Sequence, residues 1–136
     1  MVVPAKMNAP ETGGQVEIGY RFFEGAAAGT VMIGAAPDCE AYRELFSWPE
    51  VVTEIQPDGS DVMAILSELS SKPEQIAAIS RRSTKEALTR HDWVYRWNEM
   101  FRVVGVEPSR RMAVRERRLK EMADIDDWRR GKRCIS

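Results

Sequence analysis

The stretch Glu17-Ile-Gly-Tyr-Arg-Phe-Phe-Glu-Gly-Ala-Ala-Ala-Gly29, followed directly by Thr30-Val-Met-Ile-Gly34, decides how the chain is organised. Its first part reads as a helix that ends at Gly29, the residue type best able to take the left-handed conformation just past a helix end. Its second part is short, apolar and partly β-branched, which predicts a buried strand. The small residues from Gly25 to Gly29 let this helix approach another backbone, or a ligand, closely.

Working outward, Pro37 and Asp38 open a second helix through Phe46, and the Trp48-Pro49 break precedes another strand, Val51 to Ile55. Strand, helix and strand with short connections predict a βαβ unit and a parallel pair. Two strands alone do not make a stable doubly wound sheet, so either neighbouring strands are missing or this piece docks on one. Helices fill the remainder. Ser60 is a suitable N-cap for a helix carrying Val62, Ile65, Leu66 and Leu69. Pro73 starts a helix running to about Arg90, with Ile76, Ile79, Ala87 and Leu88 turned inward. Asp92 caps a further helix on which Trp93, Trp97, Met100, Phe101 and Val104 form a stripe expected to be core. Gly105 and Pro108 end it. A charged helix follows from Arg110 to Arg130, with Met112, Leu119, Met122 and Ile125 as a thin seam. The segment Val2 to Gly14 reads as loop.

Composition sets the outer limits. The 136 residues carry 43% hydrophobic and 30% charged side chains with a net charge of −1, the balance of a globular domain rather than a disordered chain. Cys39 and Cys134 stand far apart, without metal-ligand or disulfide-framework spacing. They are expected to stay reduced, which fits a cytoplasmic location. The start lacks the basic-then-apolar order of a secretory signal, and no apolar run approaches the ~20 residues needed to cross a bilayer. Charge is uneven: Ser109 to Ser136 holds ten Lys or Arg against five Asp or Glu, which is +5 and leaves −6 for the rest. Such a tail either contacts acidic partners, nucleic acid or anionic lipid among them, or is a solvated helix of mixed charge.

The first helix also carries the chemistry. Its N-terminus offers unpaired backbone N–H groups and a positive dipole end, a natural seat for phosphate. Arg21 is near enough to add charge-assisted hydrogen bonds to phosphate oxygens, and Glu24 can accept hydrogen bonds from both hydroxyls of a ribose. The same two residues, three apart, have the ordinary spacing of a helix-surface ion pair. Gly19 and Tyr20 at the helix start, together with Glu17, complete the candidate substrate-binding set of Glu17, Gly19, Tyr20, Arg21 and Glu24. Lys6 can reach a phosphate if the opening loop folds over the site. His91, the single histidine, lies between Arg90 and Asp92 at a helix junction, where a structural or capping role is favoured over general-base chemistry.

Tyr20-Arg-Phe-Phe-Glu-Gly-Ala-Ala-Ala-Gly29 resembles the "R-x-F-E-x-x-A-x-G" signature of the bacterial group 1 glycosyltransferases (family 4-like), and more narrowly the CgeB type. The likeness continues through Glu44-Leu-Phe and Pro73-Glu74 to Arg90-His-Asp-Trp-Val-Tyr-Arg96, similar to "R-H-x-W-x-x-R", and covers roughly Val16 to Val104. It implies a GT-B enzyme of two facing Rossmann-like domains, of which this chain is the C-terminal, donor-binding one. Glu24 then binds the donor ribose and Arg21 meets the diphosphate. Many relatives carry an E-x7-E pair, whereas six residues separate Glu17 from Glu24, which sets the role of Glu17 apart from the pattern.

The expected fold class is therefore α/β, a partial Rossmann-like parallel sheet with several C-terminal helices. Residues 1–108 are expected to form a partial nucleotide-sugar-binding domain and 109–136 a charged helix or tail. The expected partners are a nucleoside-diphosphate sugar donor, an unidentified acceptor, and the missing N-terminal GT-B domain or a partner chain, with no cofactor and no metal. No catalytic residue is assigned, because the base of an inverting GT-B enzyme usually comes from the other domain. Two other readings remain: a non-catalytic interaction domain of the same fold, and nucleic-acid binding through the basic C-terminal helix.

Overall fold

In the computed structural model the chain is described from Val16 to Gly131, with side chains through Asp124. The opening loop with Lys6, the seam residue Ile125 and Cys134 lie outside the described backbone or side chains. The described residues divide into two compact units, one up to Ser83 and one from Thr84. The protein is mixed α/β, mostly helical with a small parallel sheet, consistent with a partial Rossmann-like fold.

The first unit begins with α1 (Tyr20–Ala28), β1 (Met32–Gly34), α2 (Glu40–Leu45) and β2 (Val52–Glu54). The two strands pair in parallel, Met32 opposite Val52 and Gly34 opposite Glu54, which is the expected βαβ unit. Helix α1 starts at Tyr20, with extended Gly19 as N-cap, so Glu17 precedes the helix rather than opening it. Its end is as read: Gly29 adopts φ 65° and ψ 29°, and the N–H groups of Gly29 and Thr30 return to Ala26 and Gly25 carbonyls at 3.1 and 2.9 Å.

Aromatic side chains fill the core of this unit. Phe22, on the buried face of α1, meets Tyr42 edge-on with ring centres 5.2 Å apart. Phe46 packs on Tyr42 and Trp48 at 5.0 and 5.4 Å. Met32, Val51 and Ile79 are also buried in this unit, one from β1, one from the approach to β2 and one from a helix further on.

Between α2 and β2, Glu50 holds φ 61°, a left-handed backbone at a residue with a Cβ. Its carboxylate accepts hydrogen bonds from Gln75 (3.0 Å) and Arg82 (2.8 Å), while Arg82 also reaches the Pro49 carbonyl. These bonds from Gln75 first, then Arg82, hold the Glu50 carboxyl below the usual carboxylate range. The loop is thus clamped in its strained form.

The N-cap position of helix α3 (Val62–Ser70) is Asp61 rather than Ser60, and the Asp61 side chain makes no cap bond but accepts the Gln56 N–H at 3.0 Å. The backbone N–H of Ser60 is taken by Asp58 at 3.0 Å, and the turn runs one residue further before the helix begins. None of the apolar residues of α3 is fully buried, and Leu66 is exposed. Helix α4 (Pro73–Arg90) begins and ends where Pro73 and Arg90 place it, and runs from the first unit into the second.

The second unit holds α5 (Trp93–Val104) and α6 (Arg110–Gly131). Asp92 caps α5 by accepting the Val94 N–H at 2.9 Å, and Gly105 ends it at φ 68°. Val94, Leu119 and Ala123 are buried here. The stripe on α5 is not core: Trp93, Trp97, Met100 and Val104 are all exposed. The face turned inward carries Val94 and Asn98 instead, and Asn98 donates to Glu116 on α6 at 2.9 Å. The tryptophans, each about 100° round the helix from one of these residues, are left exposed. On α6, Leu119 is buried as expected while Met122 is exposed. Among the described residues no helix is long and apolar enough to cross a membrane.

Candidate functional site

One face of α1 is given to the core and the adjacent face to an open cleft. Phe22 and Ala26 are buried. Arg21, Glu24, Gly25 and Ala28 follow the i, i+3, i+4, i+7 rhythm that aligns side chains along a helix, and with Thr30, Val31 and Met32 they line a cleft of about 270 Å³. The alternation of large and small residues therefore does two jobs. Phenylalanine at 22 anchors the helix, and glycine and alanine at 25 and 28 keep the cleft from filling.

Gly25 also sets the distance between helix and strand. A β-carbon there would stand 2.6 Å from Met32 Sδ and 3.0 Å from its Cγ, so the thioether of β1 occupies the space that a side chain would need.

The N-terminus of α1 carries no side-chain cap. Gly19 makes no side-chain cap, the first turn carries no acidic residue, and a Cβ at Gly19 would meet nothing within 4 Å. Arg21 lies in this first turn, exposed, with its guanidinium carbon 5.7 Å from the centre of the Tyr20 ring. Glu24 is exposed one turn on. Among the described residues Arg21 and Glu24 make no ion pair with each other, although their spacing allows one. A cation and an acceptor thus stand side by side on one wall of the cleft.

The structure brings together Arg21 and Glu24, with Gly19 and Tyr20 at the adjoining helix start. It does not bring Glu17 to them: that residue sits in the extended segment before the N-cap and is not among the cleft's lining. Thr30 is a lining residue that the sequence reading treated only as part of a strand. Its hydroxyl-bearing type just past a helix-ending glycine was the available signal. His91 closes the last turn of α4 through its backbone N–H to the Ala87 carbonyl at 3.0 Å, and the neighbouring Asp92 does the capping. Among the described residues no group of three or more His, Cys, Asp or Glu is placed to hold a metal ion.

The fold and cleft define an α/β domain whose parallel strand pair is preceded by a helix with an uncapped start. The chain belongs to the glycosyl transferase-like family, whose model matches residues 5–102. It therefore carries a glycosyltransferase domain that takes in α1 to α5 nearly entire. No curated protein and no solved structure matches it.

Proposed function

We propose that this chain holds the nucleoside-diphosphate-sugar donor of a GT-B glycosyltransferase of the CgeB type, with residues 1–108 as a partial donor domain and 109–136 as a charged C-terminal helix or tail. The observation that carries this reading is the placement of Arg21 and Glu24 on one open cleft beside the uncapped start of α1. The diphosphate sits against the first-turn N–H groups and Arg21, and the ribose hydroxyls donate to Glu24. Tyr20 and Gly19 flank the phosphate end.

In the transfer, the bond between the sugar's anomeric carbon and the diphosphate oxygen breaks as the acceptor oxygen bonds to that carbon. The acceptor's proton goes to a base outside this cleft, supplied by an acceptor-binding domain on the same polypeptide or on a partner. Negative charge grows on the departing diphosphate. The helix dipole and Arg21 stabilise it there, in the place where other transferases use a metal ion. By itself this domain binds donor and transfers no sugar.

Ligand-observed NMR of the chain against UDP, GDP, ADP and TDP and their sugars tests the reading. Saturation transfer to one diphosphate, lost in Glu24→Ala, supports it; a folded chain that binds none of them removes it. A second reading, a non-catalytic interaction domain, draws on the exposed apolar face of α5. Nucleic-acid binding through α6 is less favoured, because Arg115 and Lys120 are engaged by Asp92 and Glu116.

A further inference from the structure

Helix α6 has one buried face and one bare, cationic face. Leu119 and Ala123 are buried and Glu116 accepts from Asn98, whereas Arg110, Arg111, Val114, Arg117 and Arg118 are all exposed. Positions seven apart fall within about 20° of each other round a helix. Arg110 and Arg117 therefore form one row and Arg111 and Arg118 a second, each about 10 Å long. Val114, 48% exposed, lies between the rows. It stands about 140° and 180° round from Leu119 and Ala123, which sets the block opposite the buried face.

These four arginines differ from their neighbours in being unneutralised. Elsewhere in this unit Arg90 pairs with Glu86, Arg102 with Glu99, Arg115 with Asp92 and Lys120 with Glu116. Among the described residues no carboxylate pairs with Arg110, Arg111, Arg117 or Arg118. Glu121, one turn beyond Arg117, ends the block. Four like charges gathered on so small an area repel one another, and an anionic surface laid against them relieves that repulsion.

From this arrangement we infer that the bare face of α6 docks on an anionic membrane surface, the helix lying in the headgroup plane with its arginines against lipid phosphates. Two features select lipid over the phosphate backbone of a nucleic acid. The side chain centred among the arginines is aliphatic, so it gains from entering the interface and offers no ring on which a base could stack. The segment leading into Arg110 exposes more of the same kind, with Val103 72%, Val104 66% and Val106 51% exposed. Each arginine near an anionic leaflet strengthens binding about fivefold, so four together raise it by about several hundredfold. The attachment is reversible, unlike that of a spanning helix.

Co-sedimentation of the full chain with vesicles of equal parts phosphatidylglycerol and phosphatidylcholine tests the inference. The chain's net charge of −1 supplies no attraction of its own. The expected result is binding at low salt, none to phosphatidylcholine alone, and release as ionic strength rises from about 0.1 M to about 1 M. Arg117→Glu with Arg118→Glu is expected to weaken binding about tenfold or more, and Val114→Asp to weaken it as well. Arg43→Glu with Lys72→Glu makes the same charge change on exposed side chains of the first unit and is expected to leave binding intact.

No binding to the anionic vesicles at low salt overturns the inference. So does an equal loss in the two double variants. Binding indifferent to Arg117→Glu with Arg118→Glu, in a variant whose far-UV circular dichroism is unchanged, overturns it too. A chain that ignores the vesicles but binds a short DNA duplex assigns the face to nucleic acid and likewise overturns it.

Discussion

Gly25 and Met32 share a single volume: the space a Cβ at Gly25 would fill is held by Met32 Sδ, 2.6 Å from that position. Helix α1 and strand β1 approach as closely as they do because one of them has no side chain at this point. Alanine should gain up to about 1 kcal/mol in helix propensity, but overpacking a buried methionine costs about 1–3 kcal/mol. Gly25→Ala is therefore expected to lower stability by about 1 kcal/mol in urea denaturation. In a Met32→Ala background the same change is expected to be neutral or stabilising. Equal effects in both backgrounds would show that the two residues do not compete for this space.

Asp92 serves two partners with one carboxylate. It accepts the Val94 N–H at the start of α5, and Arg115 grips it at 3.0 and 2.5 Å through Nε and Nη2. The Arg115 bonds, more than the cap, hold its carboxyl below the usual aspartate range. Asp92→Ala should cost about 1–2 kcal/mol from the lost cap, and Asp92→Asn less, since the amide oxygen still caps. The carboxylate's contribution is full above the unfolded pKa and fades as pH falls through the lower folded one. Denaturation at neutral pH and near pH 3 should show the gap between wild type and Asp92→Asn narrowing in acid.

Tyr42 lies in the aromatic core, its hydroxyl buried without a hydrogen-bond partner among the described residues. Burial, with a smaller contribution from Glu54, pushes its pKa up to about 12. An unfolded tyrosine ionises near pH 10, so from about pH 10 to 12 the unfolded chain loses a proton that the native one keeps. Stability is expected to fall over that window by on the order of 2 kcal/mol more in wild type than in Tyr42→Phe. At neutral pH, Tyr42→Phe should be neutral or slightly stabilising, because no hydrogen bond is lost. Parallel alkaline curves for the two proteins would contradict this.

The proposed donor mode sets Arg21 against phosphate rather than base or sugar. Arg21→Ala is expected to weaken a nucleoside diphosphate about tenfold and the matching nucleoside hardly at all, measured by calorimetry. Equal losses for both ligands would remove Arg21 from the diphosphate.

The local order of elements was legible because it rests on punctuation. Gly29, Pro73, Asp92 and Gly105 mark helix ends through backbone requirements that hold whatever surrounds them. The parallel pairing of β1 and β2 followed from the short helix between them. What pattern alone did not reveal was facing. The apolar residues of α5 are as periodic as a core stripe, yet the bonds to α6 come from Asp92 and Asn98 and most of the stripe lies exposed. Glu50 at positive φ was likewise hidden, since the clamp on it comes from Gln75 and Arg82, distant in sequence. For the site, the spacing of Arg21 and Glu24 foretold a shared helix face. Glu17 precedes α1, which begins at Tyr20, and is not among the residues lining the cleft.

The most direct test of the donor site is a residue-resolved amide NMR titration of the chain with nucleoside diphosphates. The expected result is that one of them shifts the amides of Gly19, Tyr20 and Arg21 at the helix start, together with Glu24, Gly25 and Thr30 along the cleft. Glu24→Ala should weaken that binding by about 1–3 kcal/mol. Shifts confined to other parts of the chain, or none with any base, would contradict the assignment of this cleft to the donor.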